Sequence, residues 1–301
     1  MTDYGHDLMF GTFVTPIAQP VQHAVQQAVL ADRLGLDLVT FQDHPYVSRF
    51  HDTWTLIPYA AARTERVRLT ANVTNLPLRF PAQLARSVAT LDRLTGGRIE
   101  LGLGAGGFWD AIEAMGGRRL RPGEALTALE EGVQIIRGVW DTSTPGGLTV
   151  DGKFHAVRGA KRGPAPAHRP SIWIGGYKPR MLRTIGTIAD GWLPSAQNLR
   201  GGIEDLARGS EIIDEAAESA GRRPQDVRRL LNLTGDFDDT SRGFLQGPPD
   251  QWVEELTDLA LTYGTSVFIL FSDDPGMTEV FAKEVAPAVR DEVRKARGTT
   301  S

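Results

Sequence analysis

Short apolar runs alternate with longer amphipathic stretches along most of the chain. Residues 21–34 carry apolar side chains at helical spacing, and Gly35 follows them as a helix stop. Residues 38–41 form a continuous β-rich run instead, which is typical of a strand buried on both faces. This alternation of strand and helix, repeated through the N-terminal third of the chain, predicts a parallel sheet.

The same rhythm continues toward the C-terminus and predicts eight strands, each followed by a helix. The predicted strands are residues 8–14, 38–41, 67–73, 99–103, 172–174, 191–193, 229–234 and 266–271. The predicted helices are residues 21–34, 54–63, 81–94, 123–140, 179–188, 203–220, 250–263 and 277–297, with Thr53 as the expected N-cap of the second. Eight such pairs favour the α/β class and a (β/α)8 TIM barrel, built as a single domain over residues 1–301.

One excursion interrupts the pattern between the fourth and fifth strands. Asp151-Gly152 lies between two β-like runs, which predicts a hairpin. The segment 159–170 that follows is rich in glycine, proline and basic residues. We interpret residues 141–170, approximately, as an insertion in the barrel; a linker between two domains is the alternative.

The composition is typical of a globular domain. Of 301 residues, 41% are hydrophobic and 23% are charged. The formal charge of −4 argues against nucleic acid or an anionic membrane as a partner. The absence of cysteine excludes disulfides, thiolate metal sites and cysteine nucleophiles. Because the sequence shows neither a membrane-spanning apolar run nor a signal-peptide pattern, a cytoplasmic location is expected.

A glycine-rich stretch follows the fourth predicted strand. Gly102, Gly104 and Gly107 match the spacing G-x-G-x-x-G of dinucleotide-binding loops. Such a loop normally follows the first strand of its fold, whereas three strand–helix units precede this one. In a barrel the loop belongs to the C-terminal face, where glycines let a flat ligand approach the backbone. A tight turn that needs positive φ is the alternative.

A second glycine pair, Gly175-Gly176, lies between the fifth strand and a helix that begins at Pro179. This order points free N–H groups and the positive end of the helix at one place. Lys178 and Arg180 add positive charge, so we predict an anion site, with phosphate as the favoured anion. Solvated basic side chains on an ordinary loop are the alternative.

Polar residues end the second and third predicted strands. His44 follows Asp43 there, and an imidazole can donate or accept a proton near neutral pH; a structural histidine is the alternative. Asn72, Thr74 and Asn75 either offer hydrogen bonds to the edge of a heteroaromatic ring or cap the strand end. The six histidines show no metal-ligand spacing, so no metal site is expected.

Three segments together resemble the luciferase-like flavin-dependent oxidoreductases. Residues 75–106 read NLPLRFPAQLARSVATLDRLTGGRIELGLGAG, residues 170–176 read PSIWIGG, and residues 189–194 read ADGWLP. Asp43-His44 after the second strand fits the same family. The resemblance covers nearly the whole chain, and its order agrees with the barrel predicted from the apolar pattern.

The resemblance implies a barrel that binds a flavin or a deazaflavin at its C-terminal mouth, with a cis peptide bond between Asn72 and Val73. His44 matches a position near the reacting ring in several deazaflavin enzymes. The residues expected to bind the cofactor are Asp43, Asn72, Val73, Thr74, Gly104, Ala105, Gly106, Gly175, Gly176, Lys178 and Arg180, the last four at its phosphate.

Two kinds of cofactor are compatible with this family. Short members with a small excursion after the fourth strand are often similar to enzymes of coenzyme F420, a deazaflavin, so we favour hydride transfer between F420 and a small organic substrate. An FMN-dependent monooxygenase is the alternative, and a catalytically idle binder is a third that the Asp43-His44 pair argues against. Asp110 and Glu113 are both candidates for an acid that assists His44. A homodimer is expected because relatives commonly pair through barrel-wall helices.

Overall fold

The computed structural model describes residues 2–298, and thirteen β-strands lie in that range. They are β1 (Met9–Val14), β2 (Leu38–Phe41), β3 (Arg68–Ala71), β4 (Thr74–Asn75), β5 (Leu101–Gly104), β6 (Leu148–Asp151), β7 (Ala156–Ala160), β8 (Ile172–Ile174), β9 (Gly191–Trp192), β10 (Arg228–Leu233), β11 (Asp236–Phe237), β12 (Gln246–Gly247) and β13 (Thr265–Phe271). Nine of them form one sheet, whereas β6 pairs with β7 and β11 pairs with β12.

The nine-stranded sheet is a parallel barrel. Its strands follow the order β3-β2-β1-β13-β10-β9-β8-β5-β4, and every neighbouring pair in it is parallel. The two edges meet because Leu69 of β3 pairs with Ile99, just before β5. Since β3 and β4 are parts of one strand interrupted at residues 72–73, the sheet has eight strand positions. The predicted (β/α)8 barrel is therefore confirmed.

Ten α-helices lie in the described range. They are α1 (His23–Arg33), α2 (Thr53–Ala61), α3 (Pro81–Thr95), α4 (Trp109–Ala114), α5 (Pro122–Trp140), α6 (Pro179–Ile188), α7 (Glu204–Ser219), α8 (Pro249–Tyr263), α9 (Pro275–Val280) and α10 (Ala286–Ala296). Every predicted helix is present close to its predicted bounds, although the last is divided, and the short α4 was not predicted. None of the helices in residues 2–298 has the length and apolarity needed to cross a membrane.

Two helix details differ from the prediction. The last predicted helix is divided by a π turn at residues 281–285, because Pro287 lacks the N–H of a regular helical turn and its ring would clash with the carbonyl four residues earlier. The second helix has Asp52 rather than Thr53 as its N-cap. The Asp52 carboxylate accepts a hydrogen bond from the Thr55 N–H at 2.9 Å, which satisfies one of the free donors of the first turn.

Two apolar clusters lie on opposite sides of the barrel wall. Along β13, Val267 and Ile269 belong to the smaller cluster, whereas Phe268 and Leu270 belong to the larger one. Because successive side chains of a strand point to opposite faces, the smaller cluster fills the barrel interior and the larger one packs under the helices. The smaller cluster comprises Phe13, Leu38, Trp173, Leu193, Leu230, Val267 and Ile269.

The predicted hairpin is formed by β6 and β7, which pair antiparallel between α5 and β8. Its tip, residues 152–155, is held on α5 by the carboxylate of Glu131. That carboxylate accepts three backbone hydrogen bonds, from Lys153 at 2.7 Å and from Phe154 and His155 at 2.8 Å each. A Cβ at Gly152 would lie 2.6 Å from Glu131 Cδ, so glycine is required for this approach. The hairpin tip therefore has a fixed place on the barrel.

A buried ionic network lies at the face opposite the C-terminal ends of the strands. His168 Nδ1 lies 2.8 Å from Asp92 Oδ1, and His168 Nε2 lies 3.4 Å from Glu100 Oε1. These carboxylate residues are 0% and 3% exposed. The hydrogen bond with Glu100, supported by the one with Asp92, raises the pKa of His168 although burial opposes this. The folded state therefore stabilises the protonated imidazole.

Candidate active site

The third barrel strand is interrupted at the barrel mouth, which is the face at the C-terminal ends of the strands. The Asn72–Val73 peptide bond is cis, as the family resemblance implies. A Cβ at Gly104 would lie 2.8 Å from Val73 Cγ2, and a Cβ at Gly102 would lie 2.1 Å from the Ala71 carbonyl oxygen. Because the chain itself fills the space beside these two glycines, packing alone requires glycine at both positions, whether or not a ligand binds.

Gly106 requires glycine for two further reasons. Its φ is +98°, in the region that side chains rarely adopt, and a Cβ there would lie 2.7 Å from Pro77 Cγ and 2.9 Å from Trp109 Cη2. At Gly107 a Cβ would meet no atom within 4 Å. The loop after β5 is thus packed on one side and open at Gly107.

Asn72 is connected to the opposite side of the mouth by side-chain hydrogen bonds. Its Nδ2 donates to Asn232 Oδ1 at 2.7 Å and to Thr40 Oγ1 at 3.2 Å. Asn232 Nδ2 in turn donates to Ser195 Oγ at 3.0 Å. Both amides are buried, at 9% exposure for Asn72 and 4% for Asn232. Asn232 was not predicted, although a single amide among the leucines of β10 is the signal that points to it.

The residues that follow the cis bond present one unsatisfied acceptor. Thr74 is fully buried, and its hydroxyl accepts a hydrogen bond from Trp54 Nε1 at 3.2 Å. Asn75 is 7% exposed, and its Oδ1 has no hydrogen-bond partner in the described chain. A buried amide oxygen without a partner is energetically costly, so an N–H or O–H donor of a bound molecule fits this position.

Asp43 holds the segment after β4 in place. Its carboxylate accepts hydrogen bonds from Arg79 Nε at 3.0 Å, from Arg79 Nη2 at 2.7 Å and from the Asn75 N–H at 2.9 Å. The residue is 1% exposed, so both oxygens are occupied by the chain itself. These contacts favour a positioning role for Asp43 over direct contact with a cofactor, which stays a prediction.

His44 lies between two aromatic rings at the mouth. Tyr46 stacks on the imidazole with 5.3 Å between ring centroids, and Phe108 approaches edge-on at 5.4 Å. Burial lowers the pKa of His44, and the charge of Asp43 opposes this only in part. Burial also raises the pKa of Tyr46 to about 12. Both side chains are therefore uncharged at neutral pH, and a ring nitrogen of His44 is free to accept a proton.

Gly175 and Gly176 form the turn that leads into α6. A Cβ at Gly176 would lie 2.3 Å from Met181 Cγ, and Trp192 Nε1 donates to the Gly176 carbonyl at 2.8 Å. The helix begins at Pro179 without a side-chain cap, so N–H groups of its first turn remain available to a ligand. This geometry is compatible with the predicted anion site.

Two basic residues flank the start of α6. Lys178 and Arg180 both have exposed side chains. Arg180 Nη1 lies 3.1 Å from the position that a Cβ of Gly123 would take, at the start of α5. The guanidinium therefore lies at the N-terminal ends of two neighbouring helices, where a bound anion is also favoured by the helix dipoles.

The two acids considered as assistants to His44 lie on the short helix α4. Asp110 and Glu113 both form salt bridges with Arg119, the second at 2.6 Å. Their side chains are 97% and 51% exposed. The structure thus gives these carboxylates a surface partner, and their part in catalysis stays a prediction.

Comparisons with known proteins identify the family of this chain and its relatives. The profile of the luciferase-like monooxygenase family matches residues 4–243. An F420-dependent glucose-6-phosphate dehydrogenase from Kribbella flavida is 31% identical over 221 residues, which are 71% of this chain and 64% of that protein. A solved F420-dependent secondary alcohol dehydrogenase, in complex with an F420–acetone adduct, has a TM-score of 0.80 at 18% identity, over 95% of this chain and 100% of the other. The oxygenating constituent of a diketocamphane monooxygenase from Pseudomonas putida, in complex with FMN, has a TM-score of 0.75 at 20% identity, over 94% and 98% of the two chains.

The matched proteins differ in how much of their length and sequence they share with this chain. The chain spans less than two thirds of the Kribbella flavida dehydrogenase, and the two solved structures share a fold with it rather than a close sequence. The relatives are oxidoreductases and monooxygenases that use F420 or a flavin. Since the family profile matches residues 4–243, which are most of the sequence, this chain belongs to the luciferase-like monooxygenase family.

Proposed function

We propose that this protein is an oxidoreductase that transfers a hydride between coenzyme F420 and a small organic substrate at the barrel mouth. The observation that carries the proposal is His44, whose uncharged imidazole lies between aromatic rings at the end of β2. The F420-dependent relative from Kribbella flavida supports the choice of cofactor.

The residues at the mouth fit a flat ring that carries a phosphate-bearing tail. Asn75 Oδ1 is a buried acceptor without a hydrogen-bond donor among the described residues. On the other side of the mouth, the free N–H groups at the start of α6 and the charges of Lys178 and Arg180 suit a phosphate. When bound, F420 supplies or accepts hydride at C5 of its deazaflavin ring.

The proposed contacts follow from this placement. Asn72, Val73 and Thr74 would lie along the ring on one side, and the loop of Gly104, Ala105 and Gly106 would lie along it on the other. Gly175 and Gly176 would bring the backbone close to the phosphate. The hydrogen bonds from Asn72 to Asn232 and Thr40 hold the first of these segments across the mouth.

His44 handles the proton that accompanies the hydride. When an alcohol is oxidised to a carbonyl, the carbon loses a hydride and the hydroxyl oxygen loses a proton. A ring nitrogen of His44 accepts that proton, and returns it to the carbonyl oxygen in the reverse reaction. Because burial lowers the pKa of His44, the accepting form predominates at neutral pH. Asp110 or Glu113 would assist by passing the proton on to water.

Replacement of His44 tests this role. We expect His44→Ala to lower kcat with F420 by about 100-fold or more, the usual contribution of a general base, while the Kd for F420 changes by less than about threefold. The matched control is His51→Ala, since His51 lies before α2 on the same loop and bonds the Val21 carbonyl at 3.1 Å. Unchanged turnover in His44→Ala, measured on a panel of small alcohols and carbonyl compounds, would contradict the proposal.

FMN-dependent monooxygenation is the second candidate function. It is favoured by the fold shared with the FMN-bound monooxygenase constituent, and the phosphate site suits FMN as well. Oxygen consumption by the protein with FMN and a flavin reductase, beyond that of the reductase alone, would support this candidate over the first.

Two proposals concern the organisation of the chain. We propose that residues 1–301 form one domain with an insertion at about 141–170, because the larger apolar cluster joins residues from β1 to α10.

We also propose a homodimer through helices of the barrel wall, where Leu94 of α3 is 79% exposed. Sedimentation of the wild type and of Leu94→Glu, which should dissociate the dimer, tests the second proposal.

A further inference from the structure

A small cavity lies next to the barrel mouth, under the hairpin tip. Its volume is about 70 Å³. Its apolar lining includes Pro77, Ala105, Ala125, Ala128 and Phe154, so it is bounded by the loop after β4, the end of β5, the helix α5 and the hairpin tip. An apolar cavity of about 150 Å³ holds one benzene molecule, so this cavity has room for about three carbon atoms.

The polar groups of this cavity are a guanidinium and an imidazole. Arg118 has an exposed side chain whose guanidinium carbon lies 5.3 Å from the centroid of the Phe154 ring. Its neighbour Arg119 binds two carboxylates, whereas no salt bridge of residues 2–298 includes Arg118. Burial lowers the pKa of His155, although Glu131 opposes this. Arg118 therefore supplies a positive charge to the cavity lining, and its guanidinium forms no salt bridge within residues 2–298.

The surrounding charges leave Arg118 available. The hydrogen bond from the Arg121 N–H, at 3.0 Å, lowers the pKa of Glu124, and the charges of Lys153, at 3.7 Å, and of Arg118 lower it further. The Glu131 carboxylate accepts hydrogen bonds from three backbone N–H groups of the hairpin tip. Burial raises the pKa of Glu131, but these three hydrogen bonds together lower it below its usual value. Neither Glu124 nor Glu131 forms a salt bridge with Arg118, so its guanidinium can bind the anionic group of a ligand.

The wall of the cavity exists before any ligand binds. The bonds of Glu131 hold the tip on α5, and the tip carries Phe154 and His155 into the lining. A preformed wall lowers the entropic cost of binding. Small side chains at Ala125 and Ala128 provide the space opposite Phe154.

We propose that this cavity is a binding subsite for the short apolar end of an anionic organic ligand. About three carbons of the ligand enter between α5 and Phe154, and Arg118 binds the negative group. Ala105 joins the cavity to the barrel mouth, so the ligand in the working enzyme is a substrate that extends from there. That identification of the ligand rests on the proposed function, whereas binding to the cavity does not.

A series of straight-chain carboxylates tests the subsite. Ligand-observed NMR titrations of the full-length protein, without added cofactor, give the Kd of each member from acetate to hexanoate. We expect the affinity to rise about fourfold with each methylene that becomes buried. The rise should end at butanoate, whose alkyl part has three carbons, because the cavity is then full. An even rise through hexanoate, or no binding of any member, would overturn the proposal.

Variants of the wall and of the charge locate the site. Ala128→Leu fills the cavity and should weaken butanoate about tenfold or more, whereas Phe154→Ala enlarges it and should move the end of the rise to a longer chain. Arg118→Gln should weaken butanoate about threefold to fivefold but leave butan-1-ol unchanged. Arg119→Gln is the matched control and should change neither ligand.

The outcomes separate this proposal from the proposed function. Butanoate binding that is insensitive to both Ala128→Leu and Phe154→Ala would show that the ligand binds elsewhere and would overturn the subsite. An equal loss in Arg118→Gln and Arg119→Gln would overturn the role of Arg118. A failure to bind F420 would contradict the proposed function, but it would not change the Kd values expected for the carboxylates.

Discussion

Replacement of Asp43 by asparagine tests whether this residue positions the mouth or touches the cofactor. Asp43 is 1% exposed, and the Arg79 side chain to which it is bonded is 19% exposed. Removing one partner of a buried ion pair typically costs about 3–5 kcal/mol. Two features reduce this cost here: Arg79 keeps Asp52 at 2.9 Å, and the amide oxygen still accepts a hydrogen bond. We therefore expect Asp43→Asn to lower the free energy of unfolding by about 2–3 kcal/mol.

Urea denaturation, followed by far-UV circular dichroism and by tryptophan fluorescence, measures this change. The matched control is Asp52→Asn, which removes the other salt bridge of the same arginine. The Asp52 side chain is 44% exposed and asparagine is an equally good N-cap, so this variant should lose no more than about 1 kcal/mol.

The opposite pattern would refute the positioning role. If Asp43→Asn lost no more stability than Asp52→Asn and instead weakened F420 binding, Asp43 would have to contact the cofactor directly, as the family resemblance first implied. Equal stability and equal F420 affinity in the two variants would contradict both the positioning role of Asp43 and its contact with the cofactor.

Three further predictions concern other parts of the fold. Contacts with two buried carboxylates raise the pKa of His168. The stabilisation that protonated His168 provides is therefore complete below its unfolded-state pKa of about 6.5, and it is lost as the pH rises through the folded-state pKa. In urea unfolding, the stability of His168→Gln should depend less on pH in this range than that of the wild type. Gly104→Ala should lower the free energy of unfolding by about 1–3 kcal/mol, since the new methyl group meets Val73 at 2.8 Å, whereas Gly107→Ala should change it by less than about 0.5 kcal/mol; equal values would show that the packing beside β5 is not what requires glycine. Glu131→Gln should speed hydrogen exchange of the amides at the hairpin tip and leave exchange in β13 unchanged; unaltered exchange at the tip would contradict its role as an anchor.

Local patterns were sufficient for most of the barrel. The strand at residues 38–41 and the helix at residues 179–188 lie where they were predicted, because continuous apolar runs and a proline at the first helical turn are encoded within a few neighbouring residues. The π turn before Pro287 was not predicted, since an apolar pattern alone continues through it.

Long-range contacts account for what the sequence could not predict at the mouth. Asn232 meets Asn72 from 160 positions away, and only the closed barrel brings the two amides together. Asp43 was predicted to bind the cofactor, but nothing in the sequence indicated that Arg79, 36 positions later, donates a hydrogen bond to its carboxylate. The glycines of β5 suggested a ligand, whereas Val73 and Ala71 fill the space beside two of them.

A parallel equilibrium titration with F420 and with FMN determines which of the two cofactors this protein binds more tightly. The full-length protein is titrated with each oxidised cofactor under the same conditions, and binding is followed through the quenching of protein fluorescence. We predict that F420 binds at least about tenfold more tightly than FMN, a difference of about 1.4 kcal/mol. Tighter binding of FMN would contradict F420-dependent hydride transfer as the function of this protein.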